Sequence, residues 1–159
     1  MATKTNTPLD EELARFLESG LAVTVATRDA HLQPDGSWAW AVRVEEGRSH
    51  LTVFLHEDGA AAMLRNLADH PEIAVVLDRP TSHRACQVKG TFVAARPAHP
   101  EEKEEIARQV ESFRADLASI GLPAGLTAGW VLWPATALSI RVTDVFEQTP
   151  GPGTGGRLP

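Results

Sequence analysis

Apolar positions change their spacing several times along the chain, and each change marks an element. Leu9, Leu13, Phe16 and Leu17 recur at three- and four-residue steps, one face of a helix. Thr7 before Pro8 has the chemistry of an N-cap and first helical residue, Asp10 falls in the first turn, and Gly20 supplies the stop. The preceding Met1–Asn6 is expected to be a frayed tail. From Leu21 to Arg28 the period drops to two, which predicts a strand. Leu21, Val23 and Val25 take one face; Ala22, Thr24 and Ala26 take the other, where small side chains let a second element approach closely. Asp29–Gly36 is rich in turn formers. Ser37–Val44 is a second strand with Trp38, Trp40 and Val42 on one face, Gly47 marks a hairpin, and His50–Leu55 is a third strand.

A second helix is expected from a cap at Asp58, with Met63, Leu64 and Leu67 inward and its end near His70-Pro71. Strands follow at Ile73–Asp78 and Cys86–Ala95. Pro97–Gly121 carries the clearest helical pattern, Ile106, Val110, Phe113, Leu117 and Ile120, stopped by Gly121 and Pro123. Its acidic run Glu101–Glu105 reads as a solvated face at the favourable end of the helix dipole. Leu122–Pro134 is irregular and holds Trp130 and Trp133. Ala137–Phe146 alternates again as a half-buried strand, and Gln148–Pro159 is too rich in Pro and Gly for regular structure.

The order is helix, three strands, helix, two strands, helix, strand. Hairpin spacing without βαβ alternation predicts a mainly β, α+β fold: a six-stranded antiparallel barrel with flanking helices. Residues 1–147 form one barrel domain on this reading, and 148–159 a Pro/Gly-rich tail.

Charge narrows the partners. The net charge is −6 with no basic run, which argues against nucleic acid or an anionic membrane as partner. No apolar run approaches the roughly 20 residues of a membrane span. The start M-A-T-K-T-N has no apolar leader, so a cytoplasmic placement is expected. Cys86 is the single cysteine, which rules out an internal disulfide; in a strand it reads as a small buried residue. The six histidines lack metal-ligand spacing, no G-x-S-x-G or H-E-x-x-H occurs, no metal site is expected, and no catalytic residue is assigned.

Candidate chemistry concentrates in Asp78–Gly90, D-R-P-T-S-H-R-A-C-Q-V-K-G. Thr81, Ser82, His83, Arg84 and Gln87 can all bind an anion or a polar ring edge. Strand parity puts Arg84, Cys86, Val88 and Gly90 on one face and His83, Ala85, Gln87 and Lys89 on the other. This segment resembles the P-S-T-H-R-x-x-Q-[LV]-K-G stretch of a group within the pyridoxamine 5′-phosphate oxidase-like, FMN-binding split-barrel superfamily. Phe146–Gly156, F-E-Q-T-P-G-P-G-T-G-G, resembles the ending of the same group. Leu21–Arg28 and N-L-A-D-H-P at Asn66–Pro71 resemble shorter superfamily motifs.

The resemblance implies a split barrel that binds FMN where two subunits meet, as a flavin-dependent oxidoreductase on an unidentified small molecule. It implies cofactor contacts at Trp38, Arg43, Arg65, Thr81, Ser82, His83, Arg84 and Gln87. Two departures stand out. Arg43 takes the lysine place of the oxidases' R-x-x-x-x-K strand, while Trp38 takes the arginine place. The helix opening that carries an R-K phosphate pair in the oxidases reads Asp58–Met63 here, with no cation, and Arg65 lies one turn on. Both argue against pyridoxamine-phosphate oxidation itself. A non-catalytic flavin or haem binder, with His83 as the axial candidate, and a deazaflavin-dependent reductase on the same scaffold stay open. So do simpler roles: Arg84 in a surface ion pair, Trp38 and Trp40 in the core or the dimer interface. The Thr149–Gly156 tail is unstructured, an anion-binding nest, or a cover over a partner's site.

Overall fold

A computed structural model of the chain describes residues 9–159. The proposed cap at Thr7, Pro8 and the tail Met1–Asn6 lie outside the described residues. Helix α1 spans Glu11–Leu17. Asp10 caps it, accepting from the Leu13 amide at 2.7 Å, rather than sitting in its first turn. Strands β1 (Ala22–Arg28), β2 (Pro34–Ala39), β3 (Ala41–Val44) and β4 (His50–His56) follow, then α2 (Glu57–Asp69), β5 (Glu72–Asp78), β6 (Ala85–Pro97), α3 (Lys103–Ser119) and β7 (Ala135–Glu147). Helix α2 begins at Glu57, so the expected cap, Asp58, falls inside its first turn. Its cap is His56, whose ring accepts from the Asp58 amide, because β4 runs straight into the helix.

The seven strands form one antiparallel sheet in the order β2-β1-β5-β6-β7-β4-β3. The expectation was six. The difference lies at Trp40, where the predicted strand Ser37–Val44 breaks and its halves join opposite margins of the sheet: β2 pairs with β1, and β3 with β4. The Trp40 amide donates to the Phe54 carbonyl at 2.7 Å, so the seam between the margins is one residue wide. The sheet thereby curls into a split barrel. The break also overturns the predicted shared face of Trp38, Trp40 and Val42. Trp38 is 61% exposed on the outside and Val42 lies fully in the core, because one extra residue shifts the alternation by half a period.

Inside the barrel, Val23, Val25, Leu51, Val53, Leu55, Val75, Leu77, Val88, Leu138 and Ile140 pack into the main core. Helix α1 and the inner face of α2 (Ala60, Met63, Leu67) close it. Helix α3 covers the outside of β3: Ile106 and Val110 pack on Ala41 and Phe54, and the Gln109 amide brackets the Val42 backbone at 2.8 and 3.1 Å. Ile120 lies beyond the end of α3 and is exposed. Among the described residues, no helix is long and apolar enough to cross a membrane.

Residues after β7 turn back along it. The Leu158 amide donates to the Val145 carbonyl at 2.8 Å, Arg157 pairs with Asp144 at 2.7 Å, and Leu158 packs against the main core.

Candidate functional site

Alternation along β1, β5 and β6 sends one set of side chains into the core and the other onto an outer face. Register aligns that outer set in rows. One row runs Trp38, Thr24, Val76, Gln87, Phe146; the next runs Gly36, Ala26, Ala74, Lys89, Asp144. Strands lie about 4.8 Å apart, so Trp38 and Gln87 stand roughly 14 Å apart across the first row. Between them the floor is small or short-branched. A shallow cavity of about 590 Å³ lies over the second row, floored by Ala26, Ala74 and Gly90 and rimmed by Arg28, Glu72 and Lys89.

At one end of this face the β5–β6 hairpin turns back tightly. The amides of Ser82 and His83 both donate to the Arg79 carbonyl, at 3.2 and 2.8 Å, and the Arg79 amide to the Arg84 carbonyl at 2.9 Å. His83 takes φ +56, the left-handed region a non-glycine residue enters only when its surroundings hold it there. With Val76, Asp78, Ala85 and Gln87, it lines an open cavity of about 330 Å³. Gln148 and Pro150 from the tail complete the lining. The tail is tied on by backbone as well as side chain. The Gln148 amide donates to the Ala85 carbonyl at 2.9 Å. The Thr149 hydroxyl accepts from the Ala85 amide at 3.0 Å, and the Thr149 amide donates to the Glu147 carboxylate at 2.8 Å.

The polar groups here are apolar-backed and convergent. Burial pushes the Asp78 carboxyl above its usual range, with the His83 charge opposing. Hydrogen bonds from Thr149 hold Glu147 below its usual range. Cys86 points to the core side, and burial drives its thiol up to about 12, so it is not a thiolate nucleophile at neutral pH.

The predicted cofactor residues do not all converge. Trp38 and Gln87 stand at opposite ends of one row of the outer face, and His83 and Gln87 line its end cavity. Thr81 and Ser82 are exposed on the hairpin tip next to it. Arg84 leans the other way: it pairs with Glu12 at 3.1 Å and lies 4.3 Å over the Phe16 ring. Arg43 sits under α3, bound to Glu102 at 3.0 Å and to Glu105, and these carboxylates raise its already high pKa. Arg65 is exposed on α2, donating to the Ala61 carbonyl at 3.3 Å.

A flavin ring and a flavin phosphate therefore fare differently. The ring finds a small-residue floor, an exposed indole and amide, imidazole and carboxyl groups at one edge. The phosphate finds no cation where α2 opens. Glu57 and Asp58 stand there, and the Asp58 amide is already taken by His56. That opening abuts β2 closely enough that a Cβ on Gly59 would overlap the Ser37 hydroxyl. Among the described residues no cluster of His, Cys, Asp and Glu is suited to a metal ion.

Sequence reasoning missed Gln148 and Pro150 as lining residues. Their motif was visible, but the Thr149 contact with Ala85 that anchors the segment spans 64 residues and leaves no local signal.

The fold and this face define a split-barrel protein with a ligand-sized cleft on its outer sheet. The pyridoxamine 5′-phosphate oxidase family model matches residues 9–147, and the chain belongs to that family. Among curated proteins none matches. Several solved structures share the fold. HupZ of Group A Streptococcus aligns at a TM-score of 0.56 and 16% identity, covering 92% of this chain and 100% of that one. An F420 reductase aligns at 0.54 and 16%, covering 87% and 98%. An FMN-binding protein from Syntrophomonas wolfei aligns at 0.52 and 14%, covering 85% and 83%.

Proposed function

We propose that the chain is a flavin-binding homodimer and acts as an oxidoreductase on a small molecule, with FMN as the cofactor. The observation that carries this reading is the row Trp38, Thr24, Val76, Gln87, which ends at the cavity of Asp78, His83 and Gln148. It offers a floor on which a planar ring can lie, an indole to lie against it, and hydrogen-bonding groups at one edge. A bound flavin supplies the redox chemistry; the protein contributes orientation and exclusion of water. A second copy on the same outer face would supply that exclusion, since the row is open to solvent in one chain. Ring contacts carry the binding, because the opening of α2 holds acid where a phosphate needs cation.

The test is the visible spectrum of the full chain after loading with FMN, and separately with riboflavin, and desalting. A retained two-banded flavin spectrum with both ligands is expected. With no phosphate anchor, the two affinities should differ by less than about threefold, under 0.7 kcal/mol. Retention of neither overturns the reading. An intense Soret band after haemin loading would replace it with haem held at His83, and retention of a deazaflavin alone would move the chemistry to hydride transfer from that cofactor.

A further inference from the structure

The segment Gln148–Pro150 has no role in the reading above beyond lining the cavity, yet its geometry is that of a built wall. It is fixed to β6 on both sides of one residue. The Gln148 amide reaches the Ala85 carbonyl, and the Thr149 hydroxyl takes the Ala85 amide. Ala85 lies between His83 and Gln87 in sequence, so the clamp sets the backbone that presents both. The side chains of Gln148 and Gln87 then line the same cavity, each carrying an amide that donates through its NH2 and accepts through its carbonyl. Asp78 adds an acceptor and His83 a ring N–H. Together these residues carry both donors and acceptors beside an apolar backing of Val76, Ala85 and Pro150, enough to supply a donor, acceptor, donor set. That set is complementary to a cyclic imide, whose ring N–H lies between two carbonyl oxygens.

We propose that the tail is part of the binding site: Gln148 is a specificity-determining contact to the imide edge of a flavin-type ring, and Thr149 is a positioning residue that acts through Ala85. The proposal rests on the flavin reading and adds which atoms of the ligand are recognised and by what. Specificity follows from the chemistry. A site built to hydrogen-bond an N–H disfavours a ligand that lacks it, because the site's own polar groups are left unpaired once the ligand covers them.

The experiment is a fluorescence titration of the full chain with lumiflavin and with its N3-methyl analogue. Neither carries ribityl or phosphate, so both report the ring edge alone. The wild type should bind lumiflavin about tenfold or more tightly than the methylated compound. Gln148→Leu should weaken lumiflavin by about tenfold and bring the two ligands close to equality. Gln148→Glu, which keeps the acceptors and removes the donors, provides the second variant should Gln148→Leu fold poorly, and it should also weaken lumiflavin. Thr149→Val should speed hydrogen exchange at the Ala85 amide and weaken lumiflavin less than Gln148→Leu does. If the wild type binds lumiflavin and neither Gln148 variant alters the affinity or the preference, the tail's role is overturned while the flavin reading stands. If the wild type binds neither ring, nor FMN, both are overturned together.

Discussion

Glu102 shows at the scale of one residue how the same chemistry can serve structure instead of function. Its side chain is 9% exposed, yet it receives Arg96 at 2.8 Å and Arg43 at 3.0 Å, together with the His99 amide at 2.7 Å. The Arg96 hydrogen bond is the leading cause that holds this carboxyl down to about 2, from an ordinary 4.5. A carboxyl with a lowered folded-state pKa contributes stability that is present above its ordinary value and lost as pH falls toward the folded one. At about 1.4 kcal/mol per unit, the network should contribute about 3 kcal/mol above pH 4.5 and progressively less toward pH 2. Glu102→Gln should therefore destabilise by about 3 kcal/mol in urea denaturation at pH 7, with the difference shrinking at pH 3. Equal differences at both pH values would show that packing, not charge, is what Glu102 contributes. The same network engages Arg43 and Arg96 in ion pairs beside β3 and α3. In the sequence, Arg43 sits at a position matching a family lysine. Nothing local reveals that two glutamates from a helix about 60 residues later will claim it.

Elements were legible where alternation decides them. The parity of β6 correctly separates Cys86 and Val88, which face the core, from Gln87 and Lys89, which face out. The apolar stripe of α3 is buried through Leu117. What the pattern could not show was the break at Trp40, because the bend is imposed by partners on β1 and β4 and not by the local residues. The start of α2 was misplaced for a related reason: histidine is not among the preferred caps, and only the continuity of β4 into the helix makes His56 one. Gly20 was legible as a helix stop, but its second duty was not. It holds φ +83, and a Cβ there would overlap the Gln109 carbonyl oxygen and come within 2.6 Å of Ser112 Cβ, so α3 crosses directly over the α1–β1 turn. Gly20→Ala should cost about 2–3 kcal/mol from backbone strain and displaced packing, a fall of roughly 5–10 °C in Tm. A Tm within 2 °C of wild type by calorimetry would mean that α3 docks less tightly than this geometry requires.

At the scale of the whole molecule, the face proposed to bind a ring is also open to a second copy. Thr24, Ala26, Ala74 and Val76 make it smooth, and Trp38 stands out from its margin. Ala26→Arg places a long charged side chain in the middle of that floor without touching the core. The expected outcome by light scattering at micromolar concentration is a dimer for the wild type and a monomer with a native circular dichroism spectrum for the variant. A wild-type monomer would remove the second copy from the proposed site. The family was legible from the two long motifs at 78–90 and 146–156, and the barrel from strand spacing. The shape of this face was not, since it is assembled from four strands whose register is set over long range.

The one-residue seam at Trp40 has a consequence for how the chain folds. β1–β2 and β3–β4 are each neighbours in sequence, so two hairpins can form early, tethered back to back through Trp40. Neither can be completed by the other. The remaining partners of β1 and β4 are β5 and β7, and β7 begins at Ala135. Closing the ring therefore waits for the far end of the chain, a loop-closure step that makes folding slow relative to hairpin formation. During synthesis, β1 can gain β5 midway, but the outward margin of β4 stays unpaired until β7 has emerged. In that interval the chain is most exposed to pairing with a neighbour.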